Sequence, residues 1–216
     1  MSKHRNVELA RLQAMNVPRI RPHEGSSVTA VVGQSAMVNG VMVHSAAINL
    51  ADAPVPERKY AANACGVVYE PGNVQLLFAQ RRIGGDELRS LLVIQMSPAG
   101  AVRLLAAAAQ LSPHSLDDLV QQGIVQVERS RPITVEPAQT VEMAAGFCLF
   151  AAGPDMATLD FYQASAFALS AVPHAKKLAV DPVVRIDIRT SLLIGLVEQL
   201  RELGPKLPQM TTESPK

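Results

Sequence analysis

Three strand-like apolar runs followed by a helix-like one occur in the same order twice along this chain. Residues 66–109 read GVVYEPGNVQLLFAQRRIGGDELRSLLVIQMSPAGAVRLLAAAA; from Gly146, GFCLFAAGPDMATLDFYQ is followed, after a longer insert, by VVRIDIRTSLLIGLVEQL. Gly66 aligns with Gly146, residues 76–80 with 159–163 and residues 92–96 with 184–188, at offsets of 80, 83 and 92. The offset changes in two loops, where insertions cost least. The expected fold class is α+β: duplicated βββα units forming antiparallel sheet or sheets, with the helices packed on one face.

Local chemistry sets the boundaries. Residues 1–27 hold a short amphipathic helix, with Val7, Leu9, Ala10, Leu12 and Met15 near helical spacing and Pro18 ending it, then a polar linker. Residues 28–58 read as a β-hairpin turning at Asn39-Gly40 and a proline-rich connector. Residues 59–122 form the first unit, its first hairpin closed by Pro71-Gly72-Asn73. Its helix starts at Ser97-Pro98, serine as cap and proline at the first position, and buries Val102, Leu105 and Ala109. The second unit, 123–205, opens with short strands at residues 124–127 and 133–135. It ends in a helix capped by Thr190 and stopped by Gly204-Pro205. Residues 206–216 read as a disordered tail.

Such strands need a largely aliphatic core, because hydrophobic residues make up 48% of the 216 and Trp is absent. Charged residues are only 18%, which leaves apolar surface for a partner to cover. The net charge of +1 gives no field to steer nucleic acid or an anionic membrane, and no apolar run is long enough to span a bilayer. Cys65 and Cys148 sit in strand-like runs and read as buried thiols in a reducing cytoplasm.

No motif carries chemistry on its own. Arg82-Ile83-Gly84-Gly85-Asp86-Glu87-Leu88 looks like the signature hairpin of diguanylate cyclases. The chain lacks the upstream Asp-x-Asp strand that holds magnesium in that family, so a Gly-Gly turn with solvated acids is the simpler reading. His4, His23, His44, His114 and His174 are scattered, without metal-ligand spacing. Cys148 has no activating base nearby in sequence. Catalytic, cofactor and metal residues are accordingly expected to be none. Asp160 and Asp187 fall among apolar neighbours in strands, so each needs a partner; Arg185 and Arg189 are the candidates for structural ion pairs.

Tyr60-Ala61-Ala62-Asn63, the strand of residues 75–78, Ser97-Pro98 and Ala101-Val102-Arg103-Leu104-Leu105 resemble the DUF3467 family of uncharacterised small bacterial proteins. The likeness covers about a quarter of the chain, with an extra alanine after Tyr60, and implies no active site. The meander followed by a helix also looks like the SecB export chaperone in element order.

The expected function is a non-enzymatic protein-binding module, either a subunit of a larger assembly or a SecB-like chaperone, that self-associates or takes a hetero-partner. Contact is expected through Leu9, Leu12, Phe167, Leu169, Val172 and Leu178, in the N-terminal helix and the long insert of the second unit. The alternative is an enzyme or accessory factor acting on nucleotides or nucleic acid, resting on Asp86, Glu87, Asp160, Asp187 and a charge of about +3 in the first 24 residues.

Overall fold

The computed structural model describes residues 53–81, 87–109, 116–128, 132–168 and 178–205, together with the backbone of four short N-terminal strands. Of these, β1 (Ser27–Ala30) pairs with β4 (Ala46–Asn49) and β2 (Ala36–Val38) with β3 (Val41–Val43), all antiparallel. The Val38↔Val41 pair brackets Asn39-Gly40, where the sequence places its turn.

The rest is an α+β body with two four-stranded sheets. The first has the order β6 (Ala64–Glu70), β7 (Asn73–Arg81), β8 (Leu88–Met96), β9 (Val141–Ala144). The second has β10 (Phe147–Ala152), β11 (Met156–Gln163), β12 (Asp181–Arg189), β5 (Lys59–Ala61). Helix α1 (Pro98–Ala109) follows β8, α2 (Leu116–Gln121) lies in the connector, and α3 (Thr190–Leu203) follows β12.

Each sheet is a three-strand antiparallel meander extended by a fourth, parallel strand from the other half of the chain. Residues 59–61 of β5 pair with β12, and residues 141–144 of β9 pair with β8. The sheets are therefore mixed, where the apolar pattern suggested antiparallel pairing throughout. Strands of three and four residues carry too little alternation to show in the sequence.

The two meanders correspond position by position. Cys65 lies opposite Phe78 and Phe78 opposite Leu92; in the other half the row is Cys148, Phe161, Val184. Both ladders shift register just after the phenylalanine, at Phe78/Ala79 and Phe161/Tyr162. The bulge also tolerates Pro182 in β12, beyond the stretch paired with β5. The offset is 83 from β5 through β7 and 92 thereafter. Gly66 thus matches Leu149, not Gly146, and the only insertion lies between the second and third strands. The first hairpin turns, Pro71-Gly72 and Pro154-Asp155, fall at equivalent places; Gly72 takes φ 80°, which a residue with a Cβ adopts only under strain.

Alternation puts Val74, Leu76 and Phe78 of β7 and Leu92, Ile94 and Met96 of β8 on one face. Leu159, Phe161, Val184, Ile186 and Ile188 do the same in the second sheet, and all are fully buried in one shared core. The Phe78 and Phe161 rings meet edge to face at 6.0 Å. Two equivalent residues in mutual contact mark a pseudo-twofold axis, and α1 and α3 also touch. Each helix packs against the first strand of the opposite half, α1 on β10 and α3 on β6. Side chains bind those strand edges: Gln199 Oε1 accepts from the Val67 amide at 3.2 Å, and Arg103 Nε donates to the Gly146 carbonyl at 3.2 Å. The Arg103 guanidinium lies 4.7 Å from the Phe147 ring centroid, and burial lowers its pKa.

Local expectations are corrected in four places. The Gly100 amide does bond to Ser97 Oγ at 3.1 Å, but the buried stripe of α1 is Ala101, Leu104 and Ala108, and Val102 is exposed. Thr190 is the first helical residue of α3 and does not cap it; its hydroxyl donates to the Gly153 carbonyl at 2.6 Å. Residues 124–127 form no strand. Near residues 133–135 only Thr134 bridges, to Arg89, because the chain turns away at residues 137–139 before β9.

Candidate binding surface

The outer faces of the two sheets differ at equivalent positions. In the first, Leu77 of β7 lies opposite Val93 of β8, and both are buried. In the second the same places hold Asp160 of β11 and Arg185 of β12. Arg185 grips Asp160 with a two-pronged bond, Nε to Oδ1 at 2.6 Å and Nη2 to Oδ2 at 2.5 Å. That bond, ahead of the opposing effect of burial, raises the pKa of Arg185. One row along, Thr158 Oγ1 donates to Asp187 Oδ1 at 2.7 Å, so Asp187 is held by a threonine, not by Arg189. Arg189 reaches Glu128 instead, at 2.8 Å.

Beside this row, Tyr162, Phe147, Ala164 and Leu178 form a small apolar cluster on the same sheet. Burial, reinforced by Asp160 and opposed by Arg185, pushes the Tyr162 hydroxyl up to about 12. Cys148 is also pushed well up, by burial first and then Asp160, which keeps its thiol protonated and unreactive.

A cleft of about 550 Å³ opens where the connector passes the turn between β10 and β11. Ile124, Val125 and Val127 of the connector, Pro154, Asp155 and Met156 of the turn, and the Glu128–Arg189 pair with Ser191 line it. Ser191 Oγ donates to the second oxygen of Glu128 at 3.1 Å, which fixes that carboxylate. Ile124 and Met156 are each about half exposed, at 49% and 53%. The cleft thus combines open apolar side chains with a fixed pair of opposite charges.

No protein-family model, curated protein or solved structure matches this chain. The surface therefore has to be read from its own geometry.

The candidate residues of the sequence do not gather at the cleft. Leu9, Leu12, Leu169, Val172 and Asp86 lie outside the described residues, and Glu87 is exposed at the start of β8. Phe167 is 82% exposed, whereas Leu178, expected at a protein contact, is buried on its own sheet. The insert packs at least that residue inward because Phe147 of β10 and Tyr162 of β11 offer an apolar cluster there. Among the described residues no three His, Cys, Asp or Glu side chains converge on a metal position, and no helix is long and apolar enough to cross a membrane. Ile124, Glu128 and Met156 went unnoticed in the sequence, since two lie in irregular chain and the third at a turn.

Proposed function

We propose that this chain is a non-enzymatic protein-binding module, a subunit of a larger assembly, and that it takes an extended segment of a partner protein in the cleft beside Glu128 and Arg189. The supporting observation is the exposure of Ile124 and Met156 in the lining of one cleft that also holds the Glu128–Arg189 ion pair. Apolar side chains supply affinity on desolvation, and the charges fix orientation. Two of the four carboxylates considered for nucleotide chemistry have partners of their own: Asp160 is gripped by Arg185 and Asp187 accepts from Thr158.

Matching strand registers support a tandem repeat of one ancestral unit, and the quoted residues support a link to the DUF3467 family. The buried thiols of Cys65 and Cys148 suit a reducing cytoplasm.

A photo-crosslinking residue at position 156, in the full chain in cells, tests the reading. A specific captured partner is expected, lost when Ile124→Asp is added and retained with Val102→Asp, whose position on α1 is equally exposed. A captured set insensitive to Ile124→Asp overturns the proposal. A SecB-like holder would instead capture many unfolded chains in place of one stoichiometric partner.

A further inference from the structure

Neither half of the body completes its own sheet. The first meander ends at β8, whose free edge is filled by β9 of the second half; the second ends at β12, whose free edge is filled by β5 of the first. The chain changes sheets over two residues in each case, Ala62-Asn63 and Ala145-Gly146. The same bonds fix both crossings: the Ala62 amide donates to the Asp187 carbonyl and the Ala145 amide to Gln95, each at 3.0 Å; the Asn63 amide donates to Ala79 at 3.0 Å and the Gly146 amide to Tyr162 at 2.9 Å. Helices are exchanged with the strands, α1 onto β10 and α3 onto β6, and Phe78 packs on Phe161 across the axis. The two halves therefore meet much as two subunits of a twofold dimer do, with the parallel strand pairings, the sheet crossings and the helix packings on one side matched on the other.

We infer that a second copy of this chain can supply either half, so that two chains close the same body between them as an exchanged dimer. Among the described residues, no contact between the halves requires that they belong to one molecule. The residues between α1 and β9 hold both halves at high effective concentration, so the closed monomer dominates in dilute solution, and the exchanged form gains on concentrated refolding. The reciprocal strands and helices specify the partner, because the β8 and β12 edges accept a parallel strand in a fixed register that residues 141–144 and 59–61 already satisfy. This inference does not depend on the cleft.

Two full-length variants test it by complementation. Leu92→Asp places an unpaired charge among fully buried residues of the first half, and Leu193→Asp does so in the second. Refolded alone, each variant is expected to lack slow-exchanging amides in both halves. Refolded together at high concentration, they are expected to recover protection in the intact halves and to elute at twice the 23.1 kDa chain mass. Wild-type chain refolded over a concentration series should form the same dimer mass in rising proportion. The inference is overturned if the mixture gains no protection over the separate variants while wild type refolds, if the wild type stays monomeric throughout the series, or if either variant keeps a protected intact half unaided.

Discussion

Exchanging the Asp160–Arg185 pair for the residues at equivalent positions in the other sheet separates what the ion pair contributes from what the site demands. Both side chains are largely enclosed, at 16% and 25% exposure, and joined by two short bonds. Removing one partner leaves the other without its counter-charge. A charged hydrogen bond is worth about 1.5–3 kcal/mol, and an orphaned, fully buried ion costs about 3–5 kcal/mol. Residual exposure lets water solvate the survivor, so Asp160→Leu or Arg185→Val alone should cost about 1.5–3 kcal/mol. The double substitution recreates Leu77 opposite Val93, a pair that the first sheet buries. It should therefore cost less than either single change, because an apolar pair of similar size replaces a pair whose desolvation offsets most of its attraction. Urea unfolding of the four proteins at neutral pH gives the cycle, with a coupling energy of at least about 1.5 kcal/mol expected. Single variants that lose less than about 0.5 kcal/mol, or a double variant that loses the sum of the two, would refute the reasoning and leave the pair as a surface contact.

The Tyr162 hydroxyl ionises near pH 10 in the unfolded chain and at about 12 in the fold, so the unfolded state loses its proton first. Stability from this group is complete below pH 10 and declines as pH rises toward 12; Tyr162→Phe should flatten that decline in urea midpoints measured across the window. Replacing Phe78 or Phe161 by Ala should cost about 3–5 kcal/mol each, because both rings are fully buried and lose their edge-to-face partner. A denaturant-measured loss below about 1 kcal/mol at either position would mean that the rings do not form the centre of the shared core.

The long strands were legible because their patterning is strong. Val74, Leu76 and Phe78 alternate with Gln75 and Leu77, and the matches of Leu76 with Leu159 and Leu92 with Val184 coincide with the observed ladders. Gly66 misled, since a glycine at the head of an apolar run appears in both halves but does different work: Gly66 lies in β6 opposite Leu77, whereas Gly146 is part of the sheet crossing. The exchange itself was not legible. β5 and β9 are three and four residues long, and their partners are fixed by the edges that the other half leaves open, a property of the assembled body. The Asp160–Arg185 partnership was readable from polar residues in apolar strands, but Arg189, the other candidate partner for these carboxylates, pairs with Glu128 instead. Asp187 and Arg189, two apart on β12, share a face, but Thr158 stands opposite Asp187 and Arg189 lies at the strand's end, within reach of Glu128.

A homodimer of half-length chains would have identical outer faces on its two sheets, because one sequence would have to serve both. Two halves within one chain carry no such constraint. The core row is alike across the axis, with Cys65, Phe78 and Leu92 against Cys148, Phe161 and Val184, since each must fit the same central space. The outer row has not: Leu77 and Val93 are apolar and buried, while Asp160 and Arg185 form an ion pair, and Gln75 opposite Gln95 stands where the other sheet has Thr158 opposite Asp187. The cleft is likewise one-sided. It forms where the connector meets Pro154–Met156, and its Glu128–Arg189 pair uses Arg189 at the place where the first half has the helix-capping Ser97. The two halves thus differ on their outer faces and at the cleft, while the exchanged strands and helices take matching places because they must close the same body twice.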